Sequence, residues 1–88
     1  MLRISVASDS VQTIQFHLEG NLAGPWVEEL RRLADDALAQ KKAISLDLRG
    51  VRFVDVQGVA LLREFSRRQI SQVNCSPFVN QQVKEVEQ

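Results

Sequence analysis

Along this chain, segments in which apolar and polar residues alternate are followed by segments in which apolar residues recur every three or four positions. Residues 3–7 and 11–18 alternate apolar with polar positions, which is typical of strands with one covered face. Residues 8–10 between them are small and polar and supply turn chemistry. We therefore predict that the fold begins with a β-hairpin.

The next segment predicts a helix and then a strand. Residues 19–21 are expected to end the second strand, and Pro25 suits the first turn of a helix because it lacks an N–H. Residues 43–48 alternate again, so the order strand, helix, strand predicts a parallel crossover. The apolar stripe of the helix recurs every three or four positions and comprises Trp26, Val27, Leu30, Leu33, Ala34, Ala37 and Leu38.

A second helix is predicted over about residues 57–69. Residues 49–50 are expected to turn the chain before it, and residues 51–54 to extend the chain briefly. Asp55 is the expected N-cap, since its carboxylate can accept hydrogen bonds from the unpaired N–H groups of the first turn. The inward positions of this helix are predicted to be Val59, Leu62 and Phe65, flanked by Ala60 and Leu61.

The C-terminal segment predicts one more strand and one more helix. Residues 71–75 favour a final strand, and Ser76 with Pro77 marks the start of a short helix that carries Val79, Val83 and Val86. The predicted class is α/β, with a four-stranded mixed sheet and about three helices in the order β-β-α-β-α-β-α. We expect one domain over residues 1–88, because a chain of this length builds a single small core.

Charge and hydropathy exclude several classes of partner. The 11 basic and 11 acidic side chains give no net charge, so overall electrostatics does not favour nucleic acid or an anionic membrane as partner. The apolar runs are far shorter than the roughly 20 residues that cross a bilayer, so no direct membrane insertion is expected. The N-terminus lacks the apolar stretch of a signal peptide, which predicts a cytoplasmic protein.

The chain offers little for catalysis or for a cofactor. Cys75 is the only cysteine and His17 the only histidine, and the sequence shows no metal-ligand spacing and no glycine-rich phosphate loop. His17 lies on the polar side of its strand and is interpreted as a surface residue. Cys75 is either a packing residue or a thiol whose pKa is lowered at a helix start. We therefore predict neither an enzyme, nor a metal site, nor a bound cofactor.

Three stretches of the chain resemble the STAS domain, the family of anti-sigma factor antagonists and of cytoplasmic domains of sulfate transporters. They read HLEGNLAGPWVEELRRL, ISLDLRGVRFVDVQGVALL and VNCSPFVNQQV, and the similarity extends over about residues 11–86. The central match comprises Asp47-Leu48, Phe53-Val54-Asp55, Gly58 and Leu61-Leu62. The resemblance implies the α/β fold of that family and agrees with the order of elements predicted from the periodicity.

The chain departs from the family at its phosphorylation switch. In partner-switching members, a kinase that also serves as the anti-sigma factor phosphorylates the serine directly after the central aspartate. Val56 and Gln57 stand in place of that serine and the next one, and neither can accept a phosphoryl group. Ala23 stands in place of the family's acidic residue before the first helix. The resemblance therefore implies a member that serine phosphorylation does not switch.

We predict a partner-binding site at the start of the second helix. It comprises Asp55, Val56, Gln57 and Gly58, with Ala23 in the loop before the first helix. An uncharged Val56 keeps this surface in the state that phosphorylation would otherwise alter. Purely structural interpretations stay open: Asp55 as a helix cap alone, Gly58 as a contact that permits close packing, and Val56 as a buried side chain.

A non-catalytic, regulatory protein-binding module is the function that these observations favour. The first interpretation is an antagonist-like domain that binds a switch kinase or anti-sigma factor. The second is a cytoplasmic accessory subunit that binds the ATPase of a membrane transporter, and the third is a sensor domain for a small ligand. The sequence leaves both a monomer and a homodimer open.

Overall fold

The computed structural model of the chain describes residues 1–77, 79 and 81. Its elements are β1 (Leu2–Asp9), β2 (Thr13–Leu22), α1 (Pro25–Ala39), β3 (Ala43–Val54), α2 (Val56–Arg67) and β4 (Ser71–Val73). This order confirms the predicted α/β class and sequence of elements, with two complete helices in the described part of the chain where about three are predicted.

The third predicted helix falls mostly outside the described residues. Of its positions, Pro77, Val79 and Gln81 are described and have helical backbone. The Val79 amide donates a hydrogen bond to the Ser76 hydroxyl over 3.2 Å, as a serine N-cap does. Ser76 therefore fulfils its predicted role, and Val79 is fully buried against the core.

The four strands form one mixed sheet in the order β1-β2-β3-β4. Strand β1 pairs antiparallel with β2, whereas β2 with β3 and β3 with β4 are parallel. Helix α1 contacts β2 and β3, and α2 contacts β3, β4 and α1, so both helices cover the same face of the sheet. The other face, here called the open face, carries Ser5, His17 and Asp47 as Cα partners across β1, β2 and β3.

The core lies between the helices and the covered face of the sheet. The strands contribute alternate residues to it, and the helices contribute the stripes predicted from their periodicity. Among the helix residues, Ala60 is exposed, whereas Trp26 is half-buried and packs against the core. The largest fully buried side chains are Phe65, Leu18, Leu22, Leu30, Leu46, Leu48, Leu61, Leu62, Val27, Val54 and Val79.

Strand β3 runs without interruption through the turn that the sequence predicts at residues 49–50. The pairing with β2 shifts instead, because His17 faces Asp47 whereas Glu19 faces Gly50, so extra residues on β3 bulge opposite Leu18. A Cβ at Gly50 would lie 2.7 Å from Cγ of Glu19 and 2.9 Å from the Leu18 carbonyl oxygen. The predicted turn is therefore wrong, and its glycine serves the close approach of two paired strands.

Strand β2 also continues past its predicted end at residues 19–21 and stops at Leu22. Gly20 has a φ of 107°, a backbone conformation that glycine adopts without steric cost. The next amide, of Asn21, donates to the Met1 carbonyl over 2.9 Å and so keeps the pairing with the N-terminus. Glycine in this segment therefore bends the strand and does not end it.

Two further boundaries differ slightly from the sequence prediction. Strand β4 ends at Val73, before the predicted residue 75, because Asn74 takes a φ of 58° and leaves the extended conformation. In β1, Ala7 has no Cα partner in β2, since Val6 faces Phe16 and Ser8 faces Gln15. The first strand thus contains a bulge near its centre.

Candidate docking site

Asp55 ends the connection from β3 and caps α2 as predicted. Its backbone is extended, and its Oδ1 atom accepts a hydrogen bond of 2.7 Å from the Gly58 amide. The Asp55 carbonyl also accepts the first hydrogen bond of the helix, from Val59 over 2.9 Å. One residue therefore fixes both the direction and the first turn of the helix.

The same carboxylate joins the loops that precede the two helices. Its Oδ2 atom accepts a hydrogen bond of 3.0 Å from the Gly24 amide at the start of α1. The Asp55 amide in turn donates to the Leu22 carbonyl over 3.1 Å. Ala23 lies between these two partners and is half-buried. The structure thus brings Ala23 next to residues 55–58, although more than 30 positions separate them in sequence.

Gly58 lies in the first turn of α2 and packs directly against the ends of β2 and β3. A Cβ on this residue would lie 2.6 Å from the Leu22 carbonyl oxygen and 2.7 Å from Cγ1 of Val54. Such distances are shorter than packed atoms tolerate, so only glycine fits without movement of the helix or the strands. The interpretation of Gly58 as a close-packing contact is confirmed.

Val56 and Gln57 point into solvent at the start of α2. The valine is 76 % exposed, so the alternative of a buried Val56 is wrong. Phe53, just before the cap, is 43 % exposed. The exposed side chains at the start of α2 therefore carry no charge, and the Asp55 carboxylate beneath them is held by the amides of Gly24 and Gly58.

His17 lies on the open face between two carboxylates, as its position on the polar side of its strand predicts. Its Nε2 atom is 3.1 Å from Oε1 of Glu19, and its Nδ1 atom is 3.4 Å from Oδ2 of Asp47. Asp47 Oδ1 also accepts hydrogen bonds of 3.0 Å from the Arg49 amide and 3.1 Å from the Asn74 side chain. These bonds, first that from Arg49, then that from Asn74 and then that from His17, lower the pKa of the Asp47 carboxyl below its ordinary range.

This network predicts a specific dependence of stability on acid. A carboxyl whose pKa is lowered by folding stabilises the native state above its unfolded pKa, and the contribution is lost as the pH falls through the folded pKa. We expect the free energy of unfolding of the wild type to fall as the pH drops below about 4, the ordinary pKa of the carboxyl, and that of Asp47→Asn to fall less. Urea unfolding at several pH values measures both slopes.

Asp36→Asn is the matched control for this experiment. Asp36 is exposed on α1, and its carboxylate makes no hydrogen bond or ion pair with the rest of the described chain. Its replacement should leave the slope of the wild type unchanged. Equal slopes for Asp47→Asn and the wild type would show that the Asp47 network does not contribute to the acid dependence.

Cys75, the lone cysteine, is the next group that the sequence brings forward. Cys75 packs against the core, and burial raises the pKa of its thiol, so the alternative of a lowered pKa is wrong. Within residues 1–77, 79 and 81, no three histidine, cysteine or carboxylate side chains come together as a metal-ligand set. Neither helix in this part of the chain has the length and apolar character needed to cross a bilayer.

Sequence reasoning missed two features of the site. Gly24 has a φ of 61°, which favours glycine, and its amide is the second ligand of Asp55. A glycine directly before a proline at a helix start is a signal for this conformation, but it does not indicate a hydrogen bond 31 positions away. The exposure of Phe53 was also missed, because it depends on a second shift in the pairing of β2 with β3.

Comparisons with known proteins identify solved structures with the fold described above. No curated protein sequence matches the chain. The solved structure of the anti-sigma factor antagonist SpoIIAA in its unphosphorylated form is similar, with a TM-score of 0.74 and 20% sequence identity over 93% of this chain and 82% of that chain. An uncharacterized protein of the DUF3478 family from Shewanella loihica, described as having a SpoIIAA-like fold, has a TM-score of 0.60 and 11% identity over 98% of this chain and 76% of that chain.

The model of a single protein family covers nearly the whole chain. The family is described as "Mlab, STAS domain", and the match extends over residues 5–83. It includes all the strands and both helices apart from the first three residues of β1, and therefore also residues 55–58. The chain belongs to the STAS domain family.

Proposed function

We propose that this STAS domain is a non-catalytic regulatory module that binds a protein partner through the docking surface, defined as Ala23 and residues 55–58. The observation that carries the proposal is the 76 % exposure of Val56, an apolar side chain at the N-terminus of a rigidly capped helix. Isolated exposed valines are common, but Phe53, three positions earlier in the chain, is 43 % exposed as well. An apolar centre with a polar rim is the usual anatomy of a protein interface.

Binding at this surface is proposed to be constitutive with respect to serine phosphorylation. In STAS antagonists, a phosphoserine after the central aspartate adds almost two negative charges at the start of the helix. Val56 and Gln57 occupy this position and the next in the present chain, and neither carries a hydroxyl group. The surface therefore keeps the uncharged form in which it can approach an apolar partner.

One of the similar solved structures favours a particular class of partner. The similarity to SpoIIAA, an anti-sigma factor antagonist, favours a switch kinase or anti-sigma factor as the partner. We also propose that the domain acts in the cytoplasm and needs no cofactor for this role. The following experiment distinguishes this partner from a transporter ATPase and from a small ligand.

Val56→Asp tests the docking surface directly. A carboxylate at this position would have to be buried without a partner in the interface, which we expect to weaken binding at least about tenfold. Capture from a lysate of the source organism, followed by mass spectrometry, measures which proteins the wild type retains and the variant loses. A kinase-type ATPase among the lost proteins supports the proposal, whereas a transporter ATPase identifies the second interpretation.

Val11→Asp provides the matched control. Val11 is 88 % exposed in the hairpin turn that precedes β2, whereas the docking surface follows the other end of that strand. Thermal unfolding should show that both variants are folded, and Val11→Asp should capture the same proteins as the wild type. Equal capture by Val56→Asp and the wild type would refute the proposal. A small molecule that raises the melting temperature, with no protein lost, would identify a ligand sensor.

A further inference from the structure

Three arginines gather around one groove on the open face of the sheet. The groove has a volume of about 600 Å³, and Arg3, Arg49 and Arg52 contribute to its walls. Gly20 and Gly50 also line it. The three arginines come from β1 and β3, on either side of β2, so the topology of the sheet brings them together.

Within the described residues, these arginines lack the carboxylate partners that three arginines of the helices have. On the helices, the guanidinium groups of Arg31, Arg32 and Arg68 each lie within 3.0 Å of a carboxylate oxygen. None of the arginines of the groove forms an ion pair within the described residues. Their positive charge is thus not paired with a carboxylate in the part of the chain that the structure describes.

Among the described residues that line the groove, Glu19 is the one carboxylate, and it does not neutralise the arginines. Glu19 is the Cα partner of Arg3 in β1 and of Gly50 in β3, so it lies between the arginines. Its Oε1 atom lies 3.1 Å from Nε2 of His17 and does not pair with an arginine. The groove therefore has a net positive charge on a chain whose formal charge is zero.

The groove borders the docking surface. Arg52 lies three positions before Asp55, and Asn21, which lines the groove, is the Cα partner of Phe53. A partner seated on Val56 and Phe53 would therefore extend over the basic groove. A guanidinium group pairs with a carboxylate through two parallel hydrogen bonds, which makes acidic side chains its natural protein ligands.

We propose that the arginine groove, formed by Arg3, Arg49 and Arg52, binds an acidic segment of the protein that docks at residues 55–58. This inference rests on the proposed docking function and adds the chemistry of the partner. The zero net charge of the chain gives no long-range attraction to a polyanion such as an anionic membrane. The groove instead suits close pairing of its guanidinium groups with a few carboxylates that lie next to an apolar contact.

A hexaglutamate peptide with blocked termini is the probe for this surface, and hexaglutamine is its neutral counterpart. In a titration followed by two-dimensional amide NMR at about 20 mM salt, hexaglutamate should shift the amides of residues 3, 19–21 and 49–53. The shifts should weaken at about 200 mM salt, where exposed charges are screened over shorter distances. Hexaglutamine should cause no such shifts.

Arg49→Gln with Arg52→Gln should weaken the binding of hexaglutamate about tenfold, since two charge-assisted contacts are lost. Arg32→Gln with Arg67→Gln removes the same charge from the helices and should change the affinity less than about twofold. The four side chains are exposed, so both double variants should unfold at temperatures close to that of the wild type.

Several outcomes would overturn the inference. Shifts outside the groove, or equal loss of affinity in the two double variants, would show that the peptide responds to overall charge alone. Inorganic phosphate that binds the groove more tightly than hexaglutamate would indicate a small-anion site. Vesicles with phosphatidylglycerol that bind through the groove, when the peptide does not, would indicate a membrane surface.

The test is independent of the docking proposal. If hexaglutamate fails to bind while Val56→Asp abolishes capture of a protein, the docking function stands and the acidic segment is refuted. If hexaglutamate binds the groove while Val56→Asp has no effect, the docking function is refuted instead. The two proposals can therefore fail separately.

Discussion

Gly58→Ala is expected to lower the free energy of unfolding by about 2 to 3 kcal/mol, because the new methyl group overlaps the Leu22 carbonyl oxygen, a backbone atom that cannot rotate away, and a buried methyl group of Val54. The Cβ would lie 2.6 Å from the Leu22 carbonyl oxygen, so either α2 or the end of β2 must shift. Alanine favours a helix over glycine by about 1 kcal/mol, which offsets only part of this cost. Urea unfolding measures the difference between the variant and the wild type.

Gln57→Ala is the control for Gly58→Ala. It places alanine one residue earlier in the same helix turn, where the side chain is exposed. Its free energy of unfolding should stay within about 0.5 kcal/mol of the wild type. If Gly58→Ala were as stable as Gln57→Ala, the close approach of α2 to Leu22 would not be a constraint on this fold.

Asp55→Ala is expected to lower the free energy of unfolding by about 2 kcal/mol. Loss of the bond to the Gly58 amide removes an N-cap, which contributes about 1 kcal/mol. Loss of the bond to the Gly24 amide contributes about as much again, since the acceptor is charged. For a domain of this size, the melting temperature should fall by about 10 °C.

Asp55→Asn separates the two contributions of the carboxylate, the helix cap at the Gly58 amide and the hydrogen bond to the Gly24 amide. Asparagine caps helices about as well as aspartate, and its single side-chain oxygen can serve one amide but not both in the same geometry. We therefore expect about half of the loss seen for Asp55→Ala. A loss in Asp55→Ala that does not exceed the effect of the cap alone would show that the bond to Gly24 contributes nothing to stability.

The regular part of the fold could be predicted from the sequence because burial follows periodicity. The stripe of α1 and the alternation of residues 43–48 each indicate which face is covered, and the structure confirms both. The cap at Asp55 was also predictable, since the signal for it is local. Elements of this kind depend on residues that are close in sequence.

The wrong turn at residues 49–50 and the wrong strand end at residues 19–21 concern glycines, whose role depends on neighbours in space. A glycine between apolar runs indicates a turn as readily as a bulge, and Gly20 and Gly50 both lie inside strands. The choice is decided by the opposing strand, which approaches Gly50 so closely that a Cβ does not fit. No periodicity within one segment carries this information.

The proposed site was predictable residue by residue but not as an arrangement. The sequence indicates Val56 and Ala23 through the resemblance to the family, whereas their proximity depends on the bond between Asp55 and Gly24. The arginine groove was not predictable from one segment, because Arg3 meets Arg49 and Arg52 only when β1 pairs with β2 and β2 with β3. Groups of residues that are distant in sequence can thus be predicted only when the order and pairing of the strands are known.

The bulge in β1 also affects how the sheet meets other chains. A long regular edge strand is a template for strand addition and for aggregation, because its free N–H and C=O groups form a continuous row. Ala7 interrupts that row near the middle of β1, and the opposite edge, β4, has only three residues. The domain is therefore poorly suited to edge-to-edge polymerisation. It can bind a partner through side chains, without strand pairing between the two sheets.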